Sequence, residues 1–128
     1  LELETEGYFM SPALFINTNN KMQINRDEVF GPLACVIKVD SYEEALEVSN
    51  DSDFGLTSGI MTASLKHASH FKRHSKSGCV MVNLPTAGTD YHVPFGGRKS
   101  SSYGPREQGQ YARDFYTCPL YTSYASDE

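Results

Sequence analysis

Glu28 and Phe30 stand in Asp27-Glu28-Val29-Phe30-Gly31-Pro32, just before the apolar run Leu33-Ala34-Cys35-Val36-Ile37-Lys38-Val39. A carboxylate has two acceptor oxygens and can take two neighbouring hydroxyls at once. An aromatic two positions on supplies a flat apolar face beside it. Gly31 permits a close backbone approach, and Pro32 fixes the backbone where the apolar run begins. A plainer reading is a surface acid before a strand and an aromatic plugging the end of a sheet. On the residues alone the plainer reading is the commoner outcome.

A second candidate is the loop from Leu84 to Arg98, which ends in Pro94-Phe95-Gly96-Gly97-Arg98-Lys99. Two glycines let the chain turn sharply behind Phe95, and Thr86, Asp90, Tyr91 and His92 are polar or aromatic groups on its approach. The segment Leu84 to Tyr103 has no periodicity. A loop of that length in a compact domain is usually functional or disordered, though an ordinary surface connection also fits. A third signature is Gly104-Pro105-Arg106-Glu107-Gln108-Gly109. Glu107 could be a buried acid tied to Arg98 or Lys99. The preferred reading makes it a first-turn acid favoured by the helix dipole, in a helix that Pro105 opens.

His67, His70 and His74 are spaced i, i+3, i+7 and share one helical face. Leu65 and Ala68 fall roughly opposite, so the histidines are expected to face solvent and no metal site is assigned. Cys35 and Cys79 fall in expected buried strands, and Cys118 adjoins Pro119; all three read as packing residues. An odd number of cysteines without metal-type spacing fits reduced thiols in a cytoplasmic protein. No Gly-x-Gly-x-x-Gly pattern is present, so a full dinucleotide site is not expected on this chain.

These residues need elements to hold them. Tyr8 to Asn17 reads as extended chain interrupted at Pro12. Leu33 to Val39 suits a strand buried on both faces of a parallel sheet. Ser41-Tyr42-Glu43-Glu44 is a capping box that opens a helix running to about Asn50. Leu56 to Met61 is the next strand, Ser64 to Lys76 a second helix stopped at Gly78, and Cys79 to Asn83 another strand. Strand, helix, strand, helix, strand at this spacing predicts βαβ units in one parallel sheet. Phe115 to Tyr124 reads as a final strand, restricted by Pro119 to an edge or a new sheet.

The chain has 128 residues, 39% of them hydrophobic, and a net charge of −5. That is one domain's worth of polypeptide with enough apolar content for a core. An acidic balance argues against nucleic acid as a partner. No apolar run approaches the ~20 residues of a membrane span. The acidic start Leu1-Glu2-Leu3-Glu4 lacks the basic region of a signal peptide.

Taken in order, the Glu28-x-Phe30-Gly31-Pro32 motif, Val82-Asn83-Leu84-Pro85, Pro94-Phe95-Gly96-Gly97-Arg98-Lys99 and Gly104-Pro105-Arg106-Glu107-Gln108-Gly109 resemble the C-terminal part of NAD(P)-dependent aldehyde dehydrogenases. The resemblance runs from Gly7 to about Tyr124. The loop Leu84 to Phe95 is most similar to the α-ketoglutaric semialdehyde dehydrogenase subgroup. One departure is Ser101-Ser102, where the family usually has Ser-Gly.

The resemblance implies an α/β fold: a parallel-sheet βαβ segment of the catalytic domain over residues 1–114, then a C-terminal oligomerisation strand and tail over 115–128. It implies that Glu28 accepts hydrogen bonds from the nicotinamide ribose of NAD or NADP and that Phe30 packs beside the nicotinamide. Phe95 would line the aldehyde pocket, with His92 and Thr86 as specificity candidates. The implied reaction oxidises a small-molecule aldehyde, favoured as a carboxylate-bearing semialdehyde, to a carboxylic acid. In it a cysteine thiolate attacks the carbonyl, hydride passes to NAD(P)+, and water releases the thioester. The family's nucleophile has Gly-Gln-x-Cys surroundings, which none of the three cysteines has. The nucleophile and general base are therefore expected upstream, leaving this chain inactive alone and homo-oligomeric through its terminal strand. The alternative is a non-catalytic dimerisation or regulatory module that keeps the family fold.

Overall fold

The structure, a computed structural model, describes residues 6–117. The chain divides into two compact units, one ending at Ser52 and the other beginning at Asp53.

In the first unit, β1 (Ala13–Phe15) pairs in parallel with β2 (Leu33–Cys35), in the register Ala13 to Leu33 and Phe15 to Cys35. The connection carries a 3-10 turn at Gln23–Asn25 and leads to α1 (Tyr42–Asn50). The capping box forms: the Ser41 hydroxyl accepts from the Glu44 N–H at 3.1 Å. The Glu44 carboxylate reaches back to the Asp40 N–H at 2.8 Å, one residue before the cap. The carbonyls a helix leaves open at its C-terminal end must find donors. Here Asn20 Nδ2 donates to Val48 O at 2.9 Å and to Asp51 O at 3.1 Å. Arg26 donates to Asp51 O at 3.0 Å and pairs with the Asp51 carboxylate at 2.9 Å. Such a solvent-exposed ion pair contributes only about 0–1 kcal/mol, so closing the helix end is its larger effect.

The second unit contains β3 (Phe54–Gly55), β4 (Thr57–Ile60), α2 (Leu65–His74), β5 (Cys79–Val82), β6 (Arg98–Lys99) and α3 (Gly109–Thr117). β4 and β5 are parallel, from Thr57 against Cys79 to Ile60 against Val82, with α2 as the crossover. This is the expected βαβ unit. Ser64 caps α2 by accepting from the His67 N–H at 3.3 Å. Lys72, Arg73 and His74 occupy its last turn, where positive charge suits the helix dipole. Phe71 (5% exposed) and Cys79 (7%) are the buried hydrophobic residues among those described. Ser75 is buried with them, its hydroxyl 2.7 Å from that of Ser58, so it is not left without a partner.

Several expectations are corrected. Within the first unit β2 takes the extended segment before it, β1, as a parallel partner, a pairing the sequence reading did not assign. β2 is also shorter than the apolar run and only half-buried, with Val36 exposed. α2 ends at His74, not Lys76, because Ser75 turns to extended backbone (ψ 133°). Leu65 on α2 is exposed, and Phe71 is the residue that anchors the helix. Arg98–Lys99 leaves the aperiodic loop to pair antiparallel with Phe54–Gly55. Pro105 opens no helix, since α3 starts at Gly109. The expected strand from Phe115 is helical through Thr117, so α3 crosses the expected 114/115 boundary. Tyr111, Ala112, Phe115 and Tyr116 repeat at helical spacing, a period outweighed in the sequence by their aromatic, strand-like composition. The rest of that expected strand, Cys118 to Tyr124, lies outside the described residues.

Candidate functional site

Glu28 and Phe30 lie in the first unit, on the turn that feeds β2. Leu33 N–H donates to Gly31 O at 2.8 Å, closing that turn. Phe30 has φ +54° and is 91% exposed; Glu28 is exposed beside it. A bulky residue in the left-handed region costs roughly 1 kcal/mol or more. An exposed phenyl ring also forgoes the roughly 2 kcal/mol that burial gives. The conformation is unfavourable on both counts and presents a carboxylate and an aromatic face to solvent. These groups suit a ligand with paired hydroxyls and a flat ring.

Thr86, His92 and Phe95 lie in the second unit. Thr86 is exposed, and its methyl group lies over β4: a Cβ on Gly59 would come within 2.9 Å of Thr86 Cγ2. The other two meet the segment Glu107 to Gly109. Phe95 and Glu107 exchange both backbone hydrogen bonds, each 2.7 Å. Gly109 N–H donates to Tyr91 O at 2.9 Å, and a Cβ on Gly109 would sit 2.6 Å from His92 O. The Tyr91 and His92 rings meet edge to face at 5.7 Å. His92 and Phe95 thus share one support, while Thr86 rests on the sheet. Glu107, expected in a first helical turn, is corrected to a strand-like position, because Gln108 (φ +63°) and Gly109 (φ +51°) delay the helix.

Three further groups were not singled out by residue spacing. Arg106 Nη1 donates to Gly96 O at 2.9 Å. The Ser102 hydroxyl accepts from the Gly97 N–H at 2.7 Å. Gln108 Oε1 is buried without a hydrogen-bond partner and borders a cleft of about 390 Å³ with Tyr91, Glu107, Ala112, Phe115 and Tyr116. The Gly-Pro-Arg-Glu-Gln-Gly signature marks the segment of Arg106 and Gln108. A residue type alone does not tell which carbonyl an arginine will reach.

Cys79 donates weakly to Gly96 O at 3.7 Å, and Cys35 is half-buried in β2. Cys79 is 7% exposed at the start of β5. Cys118 lies outside the described residues. The His70 and His74 rings stack at 3.8 Å with nearly parallel planes. Among the described residues no group of three or more His, Cys, Asp or Glu is placed to hold a metal ion. No helix among them is long and apolar enough to cross a membrane.

Residues 2–119 match the aldehyde dehydrogenase family, and the chain belongs to that family. It is 44% identical over 111 residues to the α-ketoglutaric semialdehyde dehydrogenase of Bacillus subtilis, covering 87% of this chain and 23% of that protein. It is 43% identical over 121 residues to the α-ketoglutarate semialdehyde dehydrogenase of Haloferax volcanii, covering 92% of this chain and 25% of that protein. Among solved structures it is similar to the P. syringae indole-3-acetaldehyde dehydrogenase in complex with NAD+ and IAA. The TM-score is 0.74 and the identity 39%, over 80% of this chain and 20% of that one. The chain therefore spans about a quarter of the length of the curated relatives it matches.

Proposed function

We propose that this chain is the C-terminal part of an aldehyde dehydrogenase catalytic domain. The whole protein oxidises a carboxylate-bearing semialdehyde to a carboxylic acid with NAD or NADP. The observation that carries the reading is Phe30, held at φ +54° and 91% exposed beside Glu28. The backbone there has a local cost, and the pair offers a carboxylate and an aromatic face to a ligand with paired hydroxyls and a flat ring. Glu28 accepts from the ribose hydroxyls of the cofactor, and Phe30 limits where its nicotinamide can lie. When bound, the cofactor supplies the hydride acceptor. Phe95, His92 and Thr86 belong to the aldehyde side, and their work is positioning rather than bond-making. Bond-making falls to a cysteine and a general base elsewhere in the whole protein, because none of Cys35, Cys79 and Cys118 has the Gly-Gln-x-Cys surroundings that the resemblance implies for the nucleophile.

Two further features support the reading. Tyr8, Met10, Leu14, Ile16 and Leu84 are each more than half exposed, as expected of surfaces that more protein covers. The two semialdehyde dehydrogenases named above support the substrate class. The same reading makes the whole protein cytoplasmic and homo-oligomeric. The exposed Phe115 and Tyr116 of α3, with the residues beyond, are the candidate contact.

The test is an assay of the whole protein with a carboxylate-bearing semialdehyde and an uncharged aliphatic aldehyde of equal length. Loss of a hydrogen bond to a charged group should lower kcat/KM by roughly tenfold for the uncharged substrate. Equal efficiency on the two would overturn the substrate class.

A further inference from the structure

We propose that Arg106 and Ser102 are positioning residues. They hold the Gly96–Gly97 turn, and with it Phe95, in one conformation, and so sharpen aldehyde preference without touching the aldehyde. This rests on the reading of Phe95 as a wall of the aldehyde pocket.

Phe95 is followed by two glycines, the residues with the most backbone freedom to lose. A wall built on such a turn holds its place only if the turn is tied. Phe95 itself is tied by the two backbone hydrogen bonds to Glu107. The next two residues are tied by side chains. The Arg106 guanidinium donates to Gly96 O at 2.9 Å, and its stem lies against Gly96, where an added Cβ would stand 3.3 Å from Arg106 Cγ. Gly97 N–H donates to Ser102 Oγ at 2.7 Å. The carbonyl of one glycine and the amide of the next are thus each held from outside the turn. The charged donor makes the Arg106 tie the stronger of the two. Ser102 stands where the resemblance leads one to expect glycine, which has no hydroxyl to make this tie.

Both ties are side-chain ties, and each can be removed by a substitution that leaves the Phe95 side chain itself unaltered. The experiment takes the whole protein with Arg106→Gln, Arg106→Lys, Ser102→Gly and Phe95→Ala, and measures kcat and KM for a slender and a bulky aldehyde. We expect the ratio of kcat/KM between the two aldehydes to shrink roughly tenfold in Arg106→Gln, the worth of one hydrogen bond to a charged group. In Ser102→Gly it should shrink roughly threefold, as for a neutral hydrogen bond. The change should appear in KM more than in kcat. Arg106→Lys, which can still donate to one carbonyl, should recover part of the ratio. A purely structural role would lower the amount of active enzyme and leave this ratio alone. If Phe95→Ala changes the ratio but Arg106→Gln and Ser102→Gly do not, the positioning role is wrong and the pocket reading stands. If Phe95→Ala leaves the ratio unchanged, the pocket reading fails and this inference with it. Should Arg106→Gln not fold, Ser102→Gly decides alone: a ratio equal to the parent's overturns the proposal.

Discussion

Gly78→Ala is expected to destabilise the protein by about 3 kcal/mol or more, the upper end of what overpacking costs. A Cβ at this position would stand 1.8 Å from Gly96 O, and 2.7 Å from both Gly96 C and Gly97 Cα. All three are backbone atoms, so no side chain can rotate away to make room. Gly78 cannot retreat easily either, because its N–H donates to Gly55 O at 2.9 Å and the next residue begins β5. The Gly96 carbonyl it would strike also accepts from Arg106 and Cys79, so relief there breaks other contacts. Gly88→Ala is the control. It has φ +81° but nothing within 4 Å of an added Cβ, so only its backbone preference is disturbed, at about 1 kcal/mol. Urea unfolding of the two variants measures both. A Gly78→Ala midpoint indistinguishable from the parent's would mean that the β5 start and the Gly96–Gly97 turn do not pack as described.

The second large effect is an absence of turnover. Residues 1–128 alone are expected to oxidise no aldehyde with either nicotinamide cofactor, because groups that position a substrate leave no covalent step. Cys79 is 7% exposed and its thiol faces a backbone carbonyl, which can neither accept the proton nor admit a substrate. Cys35 sits within a parallel strand pair. An assay of the purified chain with several aldehydes, NAD+ and NADP+ is the measurement. Turnover abolished by Cys35→Ala, Cys79→Ala or Cys118→Ala would place the nucleophile on this chain.

The parts of the fold legible in the sequence are those written in local chemistry. Ser41 and Ser64 mark their helix starts because a hydroxyl at that position meets an amide two or three residues on. The run Cys79–Val82 reads as a strand, and the helix before it makes the parallel partnership with Thr57–Ile60 the simple outcome. What stayed hidden depends on partners distant in sequence. Nothing local says that Leu33–Cys35 will take Ala13–Phe15 as its neighbour, or that Arg98–Lys99 will pair with Phe54–Gly55. Glu107 was misplaced because a proline followed by an acid is also how a helix begins. Its pairing with Phe95 is decided by two left-handed residues after it, one of them a glutamine that no propensity would put there. At the candidate site, Glu28, Phe30 and Phe95 were legible as motif residues. Arg106 and Ser102 were not, because each acts on a backbone group of the turn.

Glu28 carries the central claim, that this chain helps place the nicotinamide for hydride transfer. Glu28→Gln keeps the shape and loses the charge, and charged hydrogen bonds are roughly twice as strong as neutral ones. In the whole protein, single-turnover hydride transfer should slow by roughly tenfold. The loss of cofactor affinity should be small, since one side chain holds only part of the cofactor. Measuring the single-turnover rate of the parent and Glu28→Gln at saturating cofactor tests this directly. A slowed transfer with near-normal cofactor binding is the predicted result, and an unchanged rate would contradict it.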